Sequence, residues 1–81
     1  MKTKEEIAKR LGVLHFENVI VLDAYDGMLY KIQFAYTPPL FFANYEMVQA
    51  YYLGDELVQL NGSLTLVQID NLKKLFKMEE N

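Results

Sequence analysis

Two runs of strand-forming residues flank Asp26-Gly27, and that arrangement constrains this 81-residue chain more than any other feature. The first run, Leu14 to Leu22, carries the β-branched trio Val19, Ile20 and Val21; the second runs from Met28 to Phe34. Such residues fit a pleated, half-buried surface better than a helix. Asp-Gly tolerates the two positive φ values of a tight hairpin turn. With those two residues as the loop, Tyr25 faces Met28, Asp23 faces Tyr30, Val21 faces Ile32 and Val19 faces Phe34. One face then reads Val19, Val21, Tyr25, Met28, Tyr30, Ile32 and Phe34, while the other mixes Ile20 and Leu22 with Lys31 and Gln33. Two independent runs agree on which face is apolar, and this predicts an antiparallel hairpin.

Upstream lies a helix. Thr3 and Glu6 have the spacing of a capping box, in which each side chain satisfies the other's orphan backbone donor. Ile7, Ala8 and Leu11 form one stripe, and Gly12 stands where a left-handed residue would close the helix. Through Ile7, Ala8, Leu11, Gly12 and Val13 this segment resembles the first half of a helix-turn-helix, a resemblance that implies a DNA-binding regulator using residues 3–22. In that family a second helix opens directly after the turn and buries an apolar residue about six positions past the glycine. Here Leu14 stands where the polar opener belongs, and Asn18 occupies the buried place. The expectation is therefore a strand where the reading helix should be.

Thr37-Pro38-Pro39 ends the first hairpin, since consecutive prolines cannot continue a ladder. Asn44 as a cap, Glu46 in the first turn and Gly54 as a terminator predict a helix over 45–53, with Met47, Val48, Tyr51 and Tyr52 inward. A third strand entering the Gly54-Asp55 turn is the alternative. Asn61-Gly62 predicts a second hairpin, joining Glu56–Leu60 to Ser63–Ile69. Asp70 or Asn71 then caps a short helix with Leu72, Leu75 and Phe76 as its stripe, and residues 78–81 fray. The expected architecture is α+β: a small single domain over residues 1–81, ordered α-ββ-(α)-ββ-α, with two antiparallel hairpins packed with terminal helices.

Composition narrows function mainly by exclusion. At 52% hydrophobic residues the chain can bury somewhat more than ~60% of its unfolded surface without staples. It has no Cys, which removes disulfides, thiolate metal sites and a cysteine nucleophile and fits a reducing cytoplasm. The charged start is unlike a signal peptide, and no apolar run approaches the ~20 residues of a spanning helix, so a soluble cytoplasmic protein with no membrane association is expected. Net charge is −3. Between Leu11 and Ile69 the one basic residue, Lys31, stands against Glu17, Asp23, Asp26, Glu46, Asp55 and Glu56. An acidic middle suits a basic protein partner better than a phosphate backbone.

No catalytic, cofactor-binding or metal constellation emerges. His15 is the single histidine and has no Cys or second His to share a metal with. Asp23 and Asp26 flank a turn, where an Asp side chain ordinarily bonds local backbone. Ser63 lacks a nucleophile-elbow setting, and the four glycines sit at turns rather than in a phosphate-binding loop. The aromatics are the functional signal: six Tyr and five Phe, a class favoured at interfaces. Tyr36, Pro38, Pro39, Leu40, Phe41, Phe42 and Tyr45 form the candidate protein-contact segment. The expected function is a non-enzymatic interaction or regulatory module that binds another protein, such as an inhibitor or adaptor of a larger machine. The alternatives are the DNA-binding regulator and a structural homo-oligomer built through a strand edge.

Overall fold

The computed structural model describes residues 3–38 and 44–78. It has the α+β architecture the sequence predicts. The order is α1 (Lys4–Val13), β1 (Glu17–Tyr25), β2 (Tyr30–Thr37), β3 (Glu46–Leu53), β4 (Glu56–Asn61) and α2 (Leu66–Lys73). The strands form one antiparallel meander, β1-β2-β3-β4, with both helices packed against the same face.

Alternation along the central strands sets that core. Ile32, Phe34 and Tyr36 on β2 and Val48, Ala50 and Tyr52 on β3 are buried beneath Ile7 and Leu11 of α1 and Leu72 and Leu75 at the C-terminal end. Edge-to-face rings join the layers: Phe16 meets Phe34 and Tyr36 at 5.4 and 5.2 Å, and Phe76 meets Tyr52 and Tyr30 at 4.7 and 5.3 Å. Such pairs add about 0.5–1.5 kcal/mol each beyond the area they bury.

The first helix begins as expected, with Thr3 Oγ1 accepting from the Glu6 amide at 3.1 Å. It ends three residues later than expected. Gly12 lies inside α1, and His15 takes the left-handed position, φ 69°. The Phe16 amide donates to the Leu11 carbonyl and the His15 amide to the Gly12 carbonyl, both at 3.0 Å, which is a Schellman closure. Phe16 and Leu11, its apolar partners, are both buried. The core contact outranks the glycine's local preference. Because a left-handed φ strains a residue with a Cβ, His15→Gly is expected to add about 1 kcal/mol of stability. A thermal melt would register this as a midpoint about 4–8 °C higher.

The second half of the helix-turn-helix is absent, since residues 17–25 are strand. The first hairpin is present, but its register differs. Val21 pairs with Phe34, Ala24 with Ile32 and Tyr25 with Lys31. Gly27 does not take a positive φ, so the tight Asp-Gly turn is not made and residues 26–29 form a longer loop. Bulges between Glu17 and Ile20 and between Val21 and Asp23 absorb the difference, with Asn18 at φ 50° in the first. The inward set becomes Val19, Val21, Ala24, Tyr30, Ile32 and Phe34, while Tyr25 and Met28 are exposed.

Two further expectations are corrected. Residues 46–53 are strand β3, not helix: Val48, Ala50 and Tyr52 are buried while Met47 and Leu53 are exposed, a period of two. Pairing with β2 along seven positions, Tyr30 with Tyr52 through Tyr36 with Glu46, outweighs the local helix signals. Gly54, at φ 63°, then opens the two-residue loop that returns β4 onto β3. Residues 63–69 are not a hairpin arm. Thr65 caps α2 in a reciprocal box, its Oγ1 accepting from the Gln68 amide at 3.1 Å and Gln68 Oε1 accepting from the Thr65 amide at 2.9 Å. The helix therefore starts at Leu66, ahead of Asp70 and Asn71. Leu72 and Leu75 are buried and Phe76 half-buried, as the stripe required, although Leu75 and Phe76 follow the helix in turns. Met78 packs against the core, and residues 79–81 lie outside the described residues.

Candidate protein-binding face

The two helices cover one face of the sheet and leave the other open. The register fixes what that face carries. Its outward side chains fall into three cross-strand rows: Ile20, Ala35, Met47; then Asp23, Gln33, Gln49, Asn61; then Tyr25, Lys31, Tyr51, Gln59. Ile20, Tyr25 and Met47 are exposed, as are Leu22 and Val58 at the bulges and Leu53 at the strand end, whereas Ala35 is buried and Lys31, Gln33, Gln49 and Tyr51 are half-buried. The first row is apolar. The second is an amide ladder, in which Asn61 Nδ2 donates to Gln49 Oε1 and Gln49 Nε2 donates to Gln33 Oε1, each at 3.4 Å. In the third row Lys31 Nζ lies 5.7 Å from the Tyr51 ring centroid.

Tyr25 is the most exposed aromatic of the face, at 62%. Its ring folds over Gly27, where a Cβ would meet the ring at 2.8 Å. The hairpin residue read as a turn-former is thus the floor under an exposed tyrosine. Of the eleven side chains in the rows only Asp23 and Lys31 are charged, so the face is close to neutral, with tyrosine enriched and charge depleted as at the centre of protein interfaces.

Acid gathers where the β1–β2 and β3–β4 connections meet at one end of the sheet. Asp26 lies in the first connection, Asp55 in the second and Glu56 at the start of β4. Glu56 holds Lys77 at 2.9 Å, and its hydrogen bond, with the charges of Glu56 and Asp55, lifts the lysine above its ordinary pKa. Burial raises the Tyr30 hydroxyl, and the charge of Asp26 adds to it. Met28 and Leu29 are exposed at the same end.

The edges of the sheet are less available than its face. β1 is bulged twice, and Lys4 Nζ donates to the Leu22 carbonyl at 3.2 Å. β4 is bulged opposite Tyr51 and Tyr52. Bulges twist an edge away from pairing with another chain.

The predicted contact segment is only partly described. Tyr36 is buried in the core, Pro38 is half-buried and Tyr45 is exposed; Pro39, Leu40, Phe41 and Phe42 lie outside the described residues. Tyr36 also borders two adjoining cavities of about 300 and 520 Å³, which share Tyr36, Thr65 and Gln68 as walls. The amides around this cleft are engaged in holding α2. Gln68 Nε2 donates to the Tyr36 hydroxyl at 3.2 Å, and Asn71 Nδ2 donates to the Leu14 carbonyl at 3.1 Å. Among the described residues no three His, Asp or Glu side chains gather to hold a metal, and no helix is long and apolar enough to cross a membrane. Sequence reasoning did not assemble the open face because it needs the β2–β3 pairing; the alternation of Met47, Gln49, Tyr51 and Leu53 was the available signal. Compared with protein-family models, curated proteins and solved structures, the chain matches none, so the open face rests on its own geometry.

Proposed function

We propose that this chain is a non-enzymatic interaction module that binds another protein through the uncovered face of its sheet. One observation carries the reading: a four-stranded sheet with helices on one side presents Ile20, Leu22, Tyr25, Met47 and Leu53 to solvent on the other. These side chains lie on either side of the central amide row, and large apolar groups left exposed on one sheet face are surface that a protein contact can bury. A cytoplasmic setting agrees with the absence of cysteine.

Size argues for a second protein rather than a face-to-face pair of copies. Four strands about 4.8 Å apart and three rows about 7 Å apart give a footprint of roughly 400 Å², near half of the ~800 Å² per partner of a standard interface. A partner must therefore also reach the rim, where Met28 and Leu29 stand. Pairing through a strand edge is opposed by the bulges in β1 and β4. DNA reading in the helix-turn-helix manner would require a helix where β1 runs.

The test is affinity capture with matched variants. Met47→Glu with Leu53→Glu is expected to lose whatever the wild-type domain retains and to shift the thermal midpoint by little, both sites being exposed. Lys73→Glu, on the helical side, is expected to retain it. Equal retention by all three proteins would refute the reading.

A further inference from the structure

The fold sorts charge as well as hydrophobicity. The helices and the turn after α2 carry Lys4, Lys9, Arg10, Lys73, Lys74 and Lys77 against Glu5, Glu6 and Asp70, six positive against three negative. The strands and their connections carry Lys31 against Glu17, Asp23, Asp26, Glu46, Asp55 and Glu56, one against six. Among the described residues the helical layer is thus +3 and the sheet layer −5. Within the latter Glu46 lies opposite the inward Tyr36 and Glu56 is paired with Lys77, which leaves Asp23, Asp26 and Asp55 as the acids nearest the open face. Within the sheet layer the aromatic row and the acids meet: Asp23 is one row from Tyr25, and Asp26 follows Tyr25 at the β1–β2 connection.

Resting on the reading of the open face as a protein-binding surface, we propose that its partner is a basic protein segment rich in arginine. Charge complementarity supplies the argument. A cation approaching this face meets Asp23 on it and Asp26 and Asp55 at its end, against the single Lys31, and the same carboxylates oppose an acidic partner. Arginine fits better than lysine because a planar guanidinium can lie on an exposed tyrosine ring while its N–H groups reach a carboxylate. Tyr25 and Asp23 offer that combination on neighbouring rows. Tyr51 already receives the cation Lys31, so Lys31 is the local competitor of the incoming side chain. Leucine or a similar apolar residue between the arginines would meet the row of Ile20, Ala35 and Met47.

The experiment uses three short peptides that alternate leucine with arginine, with glutamine or with glutamate, titrated into the full chain at physiological salt. Binding is followed through the backbone amide resonances of the open-face rows. The arginine peptide is expected to bind at least about tenfold more tightly than the glutamine peptide and to move the open-face resonances but not those of α2. Asp23→Lys is expected to bring the arginine peptide down to the level of the glutamine one. Asp70→Lys, an identical charge change on α2, is expected to leave it unchanged. Lys31→Gln removes the competing cation and is expected to tighten the arginine peptide by about twofold to fivefold.

Equal binding of the arginine, glutamine and glutamate peptides to the face would overturn the basic partner and leave the face as a binding surface. An arginine peptide that moves α2 as much as the sheet, or equal losses in Asp23→Lys and Asp70→Lys, would reduce the effect to net charge and also overturn it. If the captured partner of the intact chain is lost in the Met47→Glu, Leu53→Glu variant yet binds Asp23→Lys as tightly as wild type, the inference fails while the broader reading stands.

Discussion

Tyr52→Ala is expected to destabilise the domain by about 3–5 kcal/mol, because it empties the centre of the core. Tyr52 is fully buried, stacks edge-on against Phe76 at 4.7 Å and donates its hydroxyl to the Leu72 carbonyl at 2.7 Å. It thus ties β3 to the end of α2. A domain of 81 residues has roughly 4–12 kcal/mol of total stability, so this one truncation removes a large part of it. Tyr52→Phe separates packing from hydrogen bonding. It keeps the ring, and the Leu72 carbonyl retains the Leu75 amide at 3.2 Å, so the expected loss is only about 1 kcal/mol. Denaturant unfolding of the two variants would show the difference.

The same residue gives the pH dependence a direction. Burial pushes the Tyr52 hydroxyl far above its ordinary value. The folded state therefore holds a proton that the unfolded chain releases above about pH 10. Its contribution to stability is complete below that pH and declines as the pH rises beyond it. Tyr52→Phe is expected to flatten the alkaline decline but not abolish it, because Tyr30 is shifted in the same direction. An alkaline limb of equal slope in both proteins would contradict the assignment.

Arg10→Ala is the second large effect, expected to cost about 2–4 kcal/mol. Arg10 is a helical residue only 6% exposed. Its Nη1 donates to the Leu75 carbonyl at 2.8 Å and to that of Met78 at 3.5 Å, and so α1 is joined to the segment that follows α2. Truncation strands the Leu75 carbonyl in the core and removes the stem that packs there. Arg10→Lys keeps the charge but not the fork, and is expected to fall between the two. The segment after α2 should open locally before the sheet does. Trypsin cleavage at Lys74 and Lys77 would then accelerate in Arg10→Ala at temperatures where the circular dichroism of the sheet is unchanged.

Arg10 also shows where sequence reading loses reach. The stripe Ile7, Ala8, Leu11 was legible because helical period and burial agree, and Thr3 with Glu6 marked the start. Nothing local in Lys9-Arg10-Leu11 distinguishes a surface arginine from a buried one; the difference is made by a carbonyl 65 residues away. β3 was read only as the alternative to a helix, for a similar reason. Asn44, Glu46 and Gly54 carry helix signals, and the deciding interaction is a ladder with β2. The Thr65-Gln68 capping box, by contrast, was present in the sequence and was outweighed by Asn61-Gly62, which resembles a hairpin turn. Within the first hairpin the strands were legible and the register was not, because two bulges moved Tyr25 from the expected inner face to the open one. A contact surface centred on Tyr36 and the proline loop came from local composition, whereas the open face arises from four strands assembled in order.

The most direct measurement of the central claim is site-specific photo-crosslinking in cells that express the intact protein. A benzophenone amino acid would be placed singly at Tyr25, at Met47, at Lys9 and at Lys73, the first two on the open face and the others on the helical side. The account predicts one discrete protein adduct from Tyr25 and Met47 and none from Lys9 or Lys73. Adducts from the helical positions with none from the sheet, or no difference between the two sets, would contradict it.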